Sequence, residues 1–105
     1  MRYWLSIILA MTLVPPAASA ADKVTLGESI VTLYCASCHA VGKTGDSPHP
    51  QAPAFRDLHQ RYDVSDLMEG LVEGLVSGHP DMPEFEFTPE QAEAIVAYLK
   101  SLETE

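Results

Sequence analysis

Apolar residues recur at spacings of three and four in two long stretches of the chain. In the first, Val64, Leu67, Met68, Leu71, Val72, Leu75 and Val76 form a wide stripe, the pattern of a helix with one buried face. Asp63 or Ser65 is placed to cap its start, and Gly78 to stop it. Gly70 and Gly74 lie four apart on it, lowering helix propensity and leaving a flat patch open to close contact. In the second stretch Ala92, Ile95, Val96, Leu99 and Leu102 form the apolar face. It opens on Thr88-Pro89-Glu90-Gln91, a capping box with proline at the first helical position. A third helix is predicted from another capping box, Thr25-Leu26-Gly27-Glu28. It starts at Leu26 and has Leu26, Ile30, Leu33 and Tyr34 among its buried positions. Gly27 inside its first turn costs about 1 kcal/mol relative to alanine, so another element should approach it closely. Nothing reads as a convincing strand, and the predicted class is all-α.

Between these helices the periodicity fails for identifiable reasons. Gly42, Gly45, Pro48, Pro50 and Pro53 make a loop of more than a dozen residues, and long loops of this kind are often functional. Phe55 and Leu58 then start a short helical piece that runs through Tyr62. Further on, Gly78-His79-Pro80-Asp81-Met82-Pro83-Glu84-Phe85 carries two prolines, which forbid a regular helix and put Met82 on a constrained extended loop. At the start of the chain Arg2, an apolar run from Trp4 to Val14, and Ala18-Ser19-Ala20 compose a secretory signal, with cleavage expected before Ala21. The run is too short for a span of about 20 residues and ends in Pro15-Pro16. Residues 1–20 are therefore set apart as a signal peptide and residues 21–105 as one domain. A domain this small usually needs a staple.

Tyr34-Cys35-Ala36-Ser37-Cys38-His39 names the staple. Two cysteines separated by two residues and followed by histidine form the arrangement that attaches a c-type haem. On a helix, residues three apart share a face, so Cys35 and Cys38 can reach the two vinyl groups on one porphyrin edge while His39 binds the iron. The other uses of such a pair fit less well. A disulfide between Cys35 and Cys38 would close a very short loop and stabilise little. A thioredoxin-like redox pair requires a βαβ setting, and zinc requires four ligands where the chain has only two cysteines. One haem c, covalently bound, is the expected cofactor, acting as both staple and core.

The second axial position decides what such an iron does. Met82, 43 residues after His39 and followed by Pro83, is the first candidate. Met68 sits on the helix stripe and reads as core. His79, three residues before Met82, is a rival ligand, whereas His49 and His59 read as solvent-facing.

Taken together, the motif on a first helix, a proline-containing loop, a middle helix, a Met-Pro loop and a C-terminal helix resemble a class I c-type cytochrome. The likeness runs through residues 21–105. It implies three main helices plus short helical pieces around one covalent haem, with Cys35 and Cys38 as thioether anchors and His39 and Met82 as axial ligands. It further implies that the Pro53 carbonyl accepts from the His39 ring and orients it. In the family the first and last helices cross through a small residue and an aromatic, matched here by Gly27 and Tyr98. Val31 stands where the first-helix aromatic is usual. Arg56, Arg61 and Tyr62 are the options for holding the haem propionates. Haem is attached outside the bacterial cytoplasmic membrane in this family, in keeping with a signal peptide and a periplasmic location.

Charge narrows the partners. Loss of residues 1–20 removes one base, Arg2, and no acid, so the net charge moves from −9 to −10. From Asp63 onward there are eleven acids against one base, Lys100. Such a field disfavours nucleic acid and anionic lipid and favours docking to redox partners with a basic surface. No catalytic acid, base or nucleophile is recognisable. The expected function is a monomeric periplasmic one-electron carrier, not an enzyme, without stable membrane association after cleavage. A permanent electron-transfer subunit of a dehydrogenase or oxidase complex would share the chemistry and differ in co-purifying with its partner. A sensor or peroxidase-like protein with open iron would bind carbon monoxide rapidly when reduced.

Overall fold

The computed structural model describes residues 3–4, 6–14, 19–74 and 80–103. Among them the regular elements are all helical: α1 (Ala20–Tyr34), α2 (Leu67–Glu73) and α3 (Pro89–Ser101), with 3₁₀ turns at Phe55–Gln60 and Val64–Asp66. No described helix is long and apolar enough to cross a membrane. The predicted stop of the middle helix at Gly78, and the rival ligand His79, lie outside the described residues.

The core is the crossing of α1 with α3. Gly27, Ile30 and Val31 on α1 are buried, as are Ala92, Ala94, Ile95, Val96, Tyr98 and Leu99 on α3. Gly27 sits directly on Ala94 and Tyr98. A Cβ added there would collide with the Ala94 carbonyl oxygen and lie 2.6 Å from the Ala94 carbonyl carbon and 2.8 Å from Tyr98 Cβ. The missing side chain therefore lets two helix backbones touch, which accounts for a glycine in a helix interior. Val31 is fully buried at the same crossing, so a branched aliphatic fills the place of the aromatic.

Both ends of α3 follow from local sequence. The Thr88 hydroxyl accepts from the Gln91 amide at 3.2 Å, and the Gln91 side chain accepts from the Thr88 amide at 3.0 Å. These bonds satisfy two of the donors that every helix start leaves open. The Tyr98 hydroxyl donates to the Val41 carbonyl at 2.5 Å, pinning the first loop to α3, and burial pushes its pKa up. Tyr98→Phe removes that donor and leaves a carbonyl short of a partner. It is expected to cost about 1 kcal/mol in denaturant unfolding while the fold is retained.

Three details differ from expectation. Helix α1 begins at Ala20, not Leu26, because Ser19 and Asp22 form an earlier capping box. No glycine or proline interrupts residues 20–26, so the Thr25 hydroxyl lies inside the helix and donates to the Ala21 carbonyl at 3.1 Å. Leu26, Leu33 and Tyr34 are exposed, by 48%, 74% and 44%, whereas Ile30 is buried as expected. The buried face is centred on Gly27, one position round the helix. Finally, α2 ends at Glu73. Gly74 follows at φ 107°, a conformation that suits glycine, and the Glu84 side chain lies against it. Asp63 does cap the start of this region, accepting from the Ser65 amide at 2.9 Å, and that bond lowers its pKa.

Candidate functional site

Cys35 is the C-cap of α1, so the cysteine motif lies on the turn that ends the helix rather than within it. The Cys38 and His39 amides both donate to the Cys35 carbonyl, at 3.2 and 2.9 Å. That turn keeps the i, i+3, i+4 relation among Cys35, Cys38 and His39 after regular helix has ended. Both thiols are unbridged. Burial pushes the Cys35 thiol up to about 11, which keeps it protonated at neutral pH, unlike the low-pKa thiolates of redox-active pairs.

The proline-rich loop closes on His39 from below. Its Nδ1 lies 2.7 Å from the Pro53 carbonyl oxygen. A carbonyl only accepts, so Nδ1 carries the proton and Nε2 keeps its lone pair, the tautomer a metal-binding imidazole needs. Phe55 lies against the same ring, with centroids 4.8 Å apart, and its amide donates to the Ala40 carbonyl at 2.9 Å. The Ala40 amide in turn donates to the Ser47 hydroxyl at 3.0 Å. These contacts leave the His39 ring few orientations.

One cleft of about 870 Å³, counting its solvent-open side, is lined by Cys35, Cys38, His39, Pro53 and Met82. All five residues singled out in the sequence therefore meet at one place. Tyr34, Ala52, Phe55, Pro83 and Phe85 complete a mainly apolar wall. Tyr34 packs edge-on to Phe85 and Phe87, with centroids 6.0 and 5.7 Å away, and the Phe87 amide donates to the Leu71 carbonyl at 2.8 Å. The Met82 loop is thus attached to both α1 and α2.

Other named residues fall elsewhere. Among the described residues neither Arg56, Arg61 nor Tyr62 lines this cleft; Arg56 lines a separate one with Lys43, His59 and Glu103. Met68 packs against the core cluster as expected. His59 is exposed, whereas His49, expected to face solvent, lines the cleft and reaches Asp81. Phe55, read from the sequence only as the start of a short helical piece, is also the aromatic partner of His39. Its position two residues after Pro53 was the available signal.

The chain matches the model of the family described as Cytochrome c over residues 24–103. Comparison with curated proteins and with solved structures gave no match.

Proposed function

Because this chain belongs to the cytochrome c family, whose business is haem-based electron transfer, we propose that it is a periplasmic one-electron carrier with a single haem c held by Cys35 and Cys38 and ligated by His39 and Met82. What carries this reading is the convergence of two thiols, an imidazole of the right tautomer and a thioether on one apolar cleft. The donor set fits the group in kind and number.

When bound, haem supplies one-electron exchange between ferrous and ferric iron. The chain's own residues do the rest. Cys35 and Cys38, fixed on the turn after α1, would hold the group by thioether bonds. His39 presents Nε2 while Pro53 and Phe55 prevent its ring from turning. The Met82 sulfur, a soft and weakly basic donor lining the same cleft, would ligate the iron and favour its reduced state. Tyr34, Phe55 and Phe85 give the cleft apolar walls, a low-polarity setting for the bound group. No residue is needed as an acid, base or nucleophile, in accord with a carrier rather than an enzyme. The excess of acids over bases, at a net charge of −9 for the whole chain, suits brief encounters with a basic partner surface, faster at low salt.

The test is an optical spectrum of the oxidised and reduced protein beside Met82→Ala. Loss of the low-spin spectrum is expected in the variant, with rapid carbon monoxide binding once it is reduced. An unchanged spectrum moves the sixth ligand to His79 or another side chain.

A further inference from the structure

Resting on the assignment of Met82 as ligand, we propose that His49 is a positioning residue: a strap that ties the Met82 loop to the cysteine turn across the mouth of the cleft. His49 is held at three points. Its amide donates to the Cys38 carbonyl at 3.0 Å. Its Nδ1 accepts from the Gln51 amide at 3.1 Å. An accepting Nδ1 leaves the neutral ring's proton on Nε2, which faces Asp81 Oδ2 at 3.2 Å. The bridge thus forms with a neutral imidazole and needs no protonation.

Its placement gives it leverage. His49 and Asp81 are 32 positions apart, yet both line the cleft that holds Cys38 and Met82. Asp81 immediately precedes Met82, and Pro80 and Pro83 flank the pair, each with a fixed φ that narrows the paths this short segment can take. A displacement of the Met82 backbone away from the cleft carries Asp81 with it and breaks the bond to His49. The side chains are 32% and 76% exposed, which puts the strap at the solvent-facing rim of the cleft. The strap's role is to keep Met82 on the iron and external ligands off it.

The test is imidazole binding to the ferric, haem-loaded full chain, a neutral ligand that must displace the sixth one. Asp81→Ala is expected to bind it about fivefold faster, the factor one modest hydrogen bond carries. Asp81→Asn keeps an acceptor for Nε2–H and is expected to bind at the parent rate. Amide hydrogen exchange over residues 80–87 should rise in the alanine variant alone. The strap is overturned if Asp81→Ala matches the parent, or if Asp81→Asn is as fast as Asp81→Ala, which would trace the effect to charge. Met82→Ala tests the ligand separately from the strap. It should bind fastest of all, and if it binds no faster than the parent, the ligand assignment falls and takes the strap with it.

Discussion

Replacing Cys35 and Cys38 together by alanine is expected to abolish covalent haem and to leave the chain poorly ordered. The segment after residue 20 has only 85 residues, a size at which burial alone gives little margin over conformational entropy. The packed helix crossing accounts for α1 and α3, but the loop from Ala40 to Ala54 and the Met82 loop chiefly wall the cleft. Filling that cleft gives both loops an apolar surface to rest on; losing its anchor removes that surface. Far-UV circular dichroism should show reduced helicity and a broad, non-cooperative thermal transition in the double variant. Cys35→Ala or Cys38→Ala alone keeps one thioether and should retain covalent haem at lower yield. A double variant that melts as sharply and as late as the parent would show that the helices stand without the cofactor.

The second large effect is expected from Gly27→Val. The atoms nearest an added Cβ belong to the backbone of Ala94 and to Tyr98 Cβ, none of which can rotate away. Relief has to come from separating α1 and α3, the pair that buries Ile30, Val31, Ile95 and Leu99. Overpacking of this kind costs about 3 kcal/mol, which in a domain of this size lowers Tm by roughly 10–20 °C. Gly42→Ala is the control, because a Cβ there meets nothing within 4 Å; it should melt within a few degrees of the parent. Equal melting of Gly27→Val and the parent would contradict the close crossing.

The contrast between Gly27 and Leu26 shows how far the sequence could be read. The glycine's cost inside a helix pointed to a close neighbour, and Ala94 and Tyr98 are that neighbour. Yet large apolar residues mark the face on Leu26 and Leu33, and glycine has no side chain to register in such a pattern. The buried face runs instead through Gly27, Ile30 and Val31, one residue round the helix. The start of α1 escaped for a related reason. The Thr25 and Glu28 pair is a sound capping signal, but Ser19 with Asp22 offers an earlier one, and no glycine or proline between them and Leu26 stops the earlier start.

The site was legible because its chemistry is compressed into adjacent letters. Cys35, Cys38 and His39 carry their spacing with them, and Met82 is marked by the prolines on either side of its loop. Pro53 became recognisable only through the family likeness. The side chain of His49 was out of reach, since its partner Asp81 is brought near by two irregular loops with no periodicity. Arg56 shows the converse: it is an option for a haem propionate in the sequence, yet it lines a separate cleft with Lys43 and His59.

Covalent haem is decided by the intact mass of the purified, denatured protein. A covalently held haem makes the polypeptide heavier by one iron porphyrin that survives acid and organic solvent, with the added mass mapping to the peptide containing Cys35 and Cys38. A chain of unmodified mass, with both thiols free to react, would contradict it.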